Sequence, residues 1–188
     1  MILASLLLVA PISLFPPSSD GGGTVVPPEA PPVRDARFER IAVIGASVSA
    51  GFGLKSELDA EASFADVVRA LLIVEPERVE ALGSSSFFFA PTREAARQVD
   101  AALAFEPTLV VGVDFLFWFA YGSNMTAEER EALFEKGLTF LERFEAPLLV
   151  GDLPDMRIAL DGKSPFGGPL LAPGQIPSPE TLTRLNAR

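Results

Sequence analysis

Arg40-Ile41-Ala42-Val43-Ile44-Gly45-Ala46-Ser47-Val48-Ser49-Ala50-Gly51 is the stretch from which the fold is read. After Arg40 the run is apolar and rich in β-branched residues without polar alternation, the pattern of a strand covered on both faces. Gly45 halts it, and small residues follow, which predicts a tight and approachable turn. Next, Ser63 to Val74 carries Phe64, Val67, Val68, Leu71 and Leu72 at helical spacing, behind Ser63 and Asp66 in a capping arrangement. The three together read as a strand, a loop and a helix.

The same unit recurs downstream. Glu77 to Leu82 is a second short strand ended by Gly83 and a serine cluster, and Thr92 to Ala104 is a helix following Pro91. Thr108 to Phe115 reads as a third, strongly apolar strand. Thr126 to Phe144 is the clearest helix, with Thr126 and Glu129 in capping-box spacing and Leu133, Phe134, Leu138, Leu141 and Phe144 on one face. Pro147 to Val150 is a fourth strand closed by Gly151-Asp152. This alternation with short connections predicts parallel strands joined by right-handed crossovers, hence a doubly wound, mainly parallel three-layer α/β/α sandwich. Sites in such sheets form beyond the carboxyl ends of the strands, so Ser47, Ser84 to Ser86, Asp114 and Asp152 are expected on one rim. Leu153 to Pro179 shows no convincing element and reads as a binding loop, a lid or disorder. Glu180 to Arg188 reads as the first turns of a helix.

Composition narrows the function. The chain has 188 residues, 48% of them hydrophobic, enough for a substantial core. Its formal net charge of −10 argues against a nucleic-acid partner, whose phosphates would be repelled. There is no cysteine, which removes disulfides, thiolate nucleophiles and Cys-based zinc sites, and no histidine to act as base or ligand. Residues 1–15 form an apolar, signal-like segment without the usual preceding Lys or Arg, and 16–35 a Pro/Gly-rich linker with six prolines up to Arg34. The expectation is a secreted, periplasmic or membrane-tethered protein whose α/β domain spans 36–188.

A first strand followed by Gly45-Ala46-Ser47-Val48-Ser49-Ala50-Gly51 resembles the opening block of the SGNH/GDSL hydrolases, Gly-Asp-Ser with a nearby glycine. The order of strands and the Gly151-Asp152-Leu153-Pro154-Asp155-Met156 segment extend the likeness over about residues 38 to 188. The resemblance implies an ester or acyl hydrolase with Ser47 as nucleophile, the amides of Ser47 and Gly83 (or the position of Ser85) donating to an oxyanion, and no cofactor or metal. Its substrate would be a small-molecule ester or an acylated glycan. Ala46 stands where the family has aspartate. Val111-Gly112-Val113-Asp114-Phe115 stands where it has Gly-x-Asn, and a carboxylate there would repel an oxyanion unless protonated or turned away. The family's Asp-x-x-His block is missing, so the expectation is a last strand and helix lost by truncation, or a relative with altered catalysis.

Other readings of the same residues stay open. Gly-Ala-Ser after a strand is also an ordinary βα turn, and the glycines of 45 to 56 fit neither common nucleotide-binding pattern. Asp114 either lines the site or caps a loop. The aromatics Phe115, Phe117, Trp118, Phe119 and Tyr121, and Phe87 to Phe89, read as core or as the wall of a pocket. Asp152 and Asp155 read as turn residues. A rival function is a non-catalytic binding domain that holds a glycan, lipid or peptide on the same rim.

Overall fold

Four short strands, β1 (Arg40–Val43), β2 (Arg78–Ala81), β3 (Leu109–Gly112) and β4 (Leu148–Val150), form one sheet in the order β2-β1-β3-β4. Every neighbouring pair is parallel, with Ile41 opposite both Val79 and Leu109, and Val111 opposite Leu149. The computed structural model describes residues 35–54, 57, 61–72, 78–160 and 171–188. The signal-like segment 1–15 and the linker, save Asp35, lie outside the described residues. Among the described residues, no helix is long and apolar enough to cross a membrane.

The helices are α1 (Phe64–Leu71), α2 (Pro91–Ala104), the single turn α3 (Phe117–Ala120), α4 (Ala127–Leu141) and α5 (Pro179–Asn186). Two begin with the capping boxes expected from sequence, Ser63 with Asp66 and Thr126 with Glu129. The Ser63 backbone and side-chain hydrogen bonds hold the Asp66 carboxyl below the usual carboxylate range.

Alternation along the strands decides which helices cover which face. Ala42, Ile44 and Val110 join a large core with Ala95, Val99 and Ala102 of α2, Phe134 and Leu141 of α4, and Leu185 of α5. Ile41, Val43 and Val111 turn the other way, onto Ala65 of α1 and its neighbours Phe64, Val68 and Leu72. The chain is therefore an α/β protein with an all-parallel four-stranded sheet and apolar clusters on both faces. Residues 41 to 43 are wholly buried, as the unalternated run requires.

The apolar run expected as a strand through Phe115 ends as a strand at Gly112. Its remainder turns back: Phe115 N–H donates to Gly112 O (3.3 Å) and Phe117 N–H to Asp114 O (3.2 Å). The aromatics then pack as a plug, with Phe115 and Phe119 edge-on to the buried Phe87 at centroid separations of 5.6 and 6.0 Å. The helix expected to reach Phe144 stops at Leu141, and Phe144 returns to the core through a turn bond to Leu141 O.

The segment after β4 contains short 3-10 turns at Met156–Leu160 and Pro173–Gln175, while 161–170 lies outside the described residues. Arg130 of α4, only 2% exposed, anchors it. Its guanidinium donates to the carbonyls of Ala120 and Gly174, and burial lowers its pKa. Asn186 of α5 grips both backbone groups of Leu153, at 2.8 and 3.0 Å. Tyr121, stacked on Phe117, donates to Pro154 O, and burial raises the pKa of its phenol.

Candidate functional site

β2 lies on one side of β1 and β3 on the other, so the chain reverses its direction of travel across the sheet between the exits of β1 and β3. Open α/β sheets form crevices at that switch point. The β1 exit, residues 44–53, coils there into a compact turn through Ala50 N–H to Ala46 O (3.0 Å), Gly51 N–H to Val48 O (3.0 Å) and Phe52 N–H to Ser47 O (2.7 Å).

Two side chains from elsewhere hold this turn. Asp114, just past β3, accepts the amides of Ala46 at Oδ1 (2.9 Å) and of Val48 and Ser49 at Oδ2 (2.8 and 3.3 Å), and the Ser49 hydroxyl at Oδ1 (2.6 Å). A carboxylate offers about four acceptor positions. All four are filled from within the chain, so Asp114 acts as an anchor and has no acceptor left for the proton of Ser47. Gln98, fully buried on α2, clasps Gly45 from the other side: Oε1 accepts its N–H (2.7 Å) and Nε2 donates to its C=O (2.9 Å). Gly45 has φ +142°, and a Cβ there would stand 2.2 Å from Asp114 Oδ1, so only glycine admits the carboxylate.

The exit of β2 closes the third side. Ser84 N–H donates to Gly45 O (3.0 Å), and Gly83 lies so close to the Ser49–Ala50 peptide that a Cβ would meet it at 2.9 Å. The structure thus brings Ser47, Gly83 and Asp114 into one cluster of loops. Ser47 is half-buried, and its hydroxyl has no hydrogen-bond partner among the described residues, unlike the buried Ser49, which bonds Ile44 O and Asp114. The amides of Ser47 and Gly83 also have no acceptor among the described residues. Ser85 is exposed, and the hydroxyls that pair there are those of Ser84 and Ser86 (2.8 Å).

Asp152 lines a different groove, between β4, α4 and α5. Asp155 pairs with Arg157, which holds its carboxyl down to about 2. Among the described residues, no cluster of three or more Asp or Glu able to hold a metal occurs. The aromatic expectations divide. Phe87, Phe115, Phe119 and Tyr121 are core, while Phe88 and Phe89 are 46% and 75% exposed, and Phe52 and Val48 join them in solvent.

Gln98 was not among the residues singled out from sequence. Its signal was present: a polar side chain in the α2 stripe Ala95, Val99, Ala102, where an unpartnered amide would be costly. The anchoring role of Asp114 had no such signal, because it depends on a turn 65 to 68 residues away. No family model, curated protein or solved structure matches this chain.

Proposed function

We propose that this chain is a serine hydrolase of the SGNH/GDSL kind, acting on an ester or acyl group, with Ser47 as the attacking residue. The observation that carries the reading is that the Ser47 hydroxyl and the Ser47 and Gly83 amides have no hydrogen-bond partner among the described residues, on a turn braced by Asp114 and Gln98 and packed against Gly83. A nucleophile held on a rigid turn beside free amide donors is the arrangement that acyl transfer needs. Attack would place the negative charge of the tetrahedral intermediate on the former carbonyl oxygen, where those two amides could receive it. The finer fold assignment, an SGNH-like three-layer sandwich, is part of the same proposal and is supported by the parallel order β2-β1-β3-β4 with helices on both faces.

A second reading is favoured by one observation: Asp114, the carboxylate bound to this turn, has its acceptor positions filled and cannot take the Ser47 proton. A serine without a base is a weak nucleophile. The same rim would then serve a non-catalytic domain that holds a glycan, lipid or peptide. A fluorophosphonate probe on the folded chain separates the two. Labelling lost in Ser47→Ala supports the hydrolase, and turnover of a short-acyl chromogenic ester, also lost in that variant, would add that a base exists. Absence of labelling supports the binding domain.

A further inference from the structure

The sheet has two edges, and they are finished differently. At the β2 edge the Arg69 guanidinium donates to Val79 O, and Glu80 sits in the strand; charged side chains of this kind close an edge to further pairing. Along β4, residues 148–150 are Leu-Leu-Val. The alternation of a parallel ladder turns the N–H and C=O groups of Leu148 and Val150 outward, and these four have no partner among the described residues. Donors and acceptors in such a row are the template on which an extended main chain adds to a sheet.

The side chains define what that main chain must carry. Leu148 and Val150 line the groove beside β4 together with Leu138, Leu141 and Leu185, whereas Leu149 points to the other side of the sheet. A strand laid along β4 would therefore send every second side chain toward apolar surface. Charge stands at the two ends: Glu142, the C-cap of α4, and Asp152, just after β4, line the same groove and have no cationic partner among the described residues. The cations nearby are engaged, Arg143 with Asp100, Arg184 with Glu131 and Arg188 with Glu135. The groove is thus apolar along its middle and acidic at its ends. A second copy would bring the same apolar strand, but in an antiparallel pair centred on Leu149 its Glu142 would come toward Asp152, and such like charges weaken a pairing. Self-pairing is the poorer use of this edge, and a basic-ended segment is the better match.

We propose that the β4 edge docks an extended peptide segment of another protein, added to the sheet as an outer strand, with aliphatic side chains at alternate positions and Lys or Arg beyond both ends. Main-chain hydrogen bonds to Leu148 and Val150 supply the register, the groove selects the aliphatic side chains, and Glu142 and Asp152 select the flanks. The contact uses no residue of the β1 exit and is independent of any chemistry at Ser47.

The probe is an end-capped nonapeptide, Lys-Lys-Thr-Leu-Thr-Leu-Thr-Lys-Lys, in which alternation puts both leucines on one face. Added to the full chain, it should slow amide exchange at Leu148 and Val150 and leave Leu149, already bonded to β3, as it was. Three altered probes should each bind at least about tenfold more weakly in fluorescence anisotropy. One is N-methylated along Leu-Thr-Leu, which removes its main-chain donors. Another is shuffled to Lys-Lys-Leu-Leu-Thr-Thr-Thr-Lys-Lys, which splits the leucines between faces. The third carries Glu in place of every Lys. The double variant Glu142→Lys/Asp152→Lys should reverse the preference, toward the Glu-flanked probe. Glu39→Lys/Glu128→Lys makes the same change in net charge at exposed carboxylates outside the groove, and should keep the parent's preference. The proposal falls if the Lys-flanked probe does not bind, if N-methylation or shuffling leaves its affinity unchanged, or if the two double variants behave alike. It falls too if the Leu148 and Val150 amides already exchange slowly in the chain alone: in a monomer the edge would be covered by the chain's own residues, and in a dimer by a second copy. Ser47→Ala should bind the probe as the parent does, so fluorophosphonate labelling and peptide binding can fail separately.

Discussion

The exit of β1 and the outer edge of β4 are both written in small and apolar residues, yet their backbones are treated in opposite ways. At the β1 exit, the amides of Gly45, Ala46, Val48 and Ser49 each have a side-chain acceptor brought from another element. At β4, Pro147 O takes the Val110 amide, and by the alternation of a parallel ladder the backbone groups of Leu148 and Val150 face outward, away from β3. Side chains repeat the contrast: residues 41 to 46 are buried, whereas Leu148 and Leu149 are 39% and 57% exposed. Beside that edge, β4, α4 and α5 enclose an open groove of about 370 Å³ lined by Leu138, Leu141, Val150 and Leu185. An apolar edge on its own is a template for further pairing. The difference teaches that burial of the strand is not what makes the β1 exit precise. Two polar grips do that; along β4 itself none is seen among the described residues, and the Asn186 clasp falls later, on Leu153.

Gly45→Ala should break this contrast most severely. Its Cβ would enter the Asp114 carboxylate at a backbone angle that L residues avoid, so a loss of about 3 kcal/mol or more is expected in chemical denaturation, together with loss of probe labelling at Ser47. Asp114→Asn sharpens it. Were Asp114 a stand-in for an oxyanion-donating asparagine, the change would be harmless. As an acceptor of four hydrogen bonds it should lose about 1–3 kcal/mol, because one acceptor oxygen becomes a donor facing the Val48 and Ser49 amides or the Ala46 amide and Ser49 hydroxyl. At the other pole, Leu148→Ser and Leu149→Lys should each change stability by no more than about 0.5 kcal/mol. They should reduce concentration-dependent association measured by sedimentation.

The smallest effect concerns acid. Arg37 and Arg157 hold Asp35 and Asp155 at about 2, below the ordinary 3.8, through side-chain hydrogen bonds. For such depressed groups the stabilisation is present above the unfolded value and is lost as pH falls through the folded one, so any contribution fades between about pH 4 and pH 2. Both carboxyls lie at the surface, and the readout is therefore the titration itself. The carbon resonance of Asp155 should show a midpoint near 2, returning toward 3.8 in Arg157→Gln.

What could be read from sequence was whatever rests on local periodicity. The buried β1 run, the Ser63 and Thr126 caps and the strand-helix alternation all depend on residues within a few positions of one another. The end of β3 was misplaced because Phe115 to Phe119 is apolar enough for a strand, and its turn is decided by Phe87, nearly thirty residues earlier. Ser47 and Gly83 were legible as small residues after strands. The clasp of Gln98 and the saturation of Asp114 were not, since each is defined by which backbone groups a distant loop leaves unpaired.

That clasp also orders events in time. Gly45 meets Gln98 across 53 residues, and the Ala46 amide meets Asp114 across 68. The β1 exit can take its shape only after α2 has docked and β3 has joined β1, so the nascent or partly opened chain displays no formed turn at Ser47. The amide protons of Gly45 and Ala46 should accordingly exchange with solvent only through the global opening of the domain, among the slowest in the molecule. A chain wired in this way forms the turn around Ser47 only once it is fully folded.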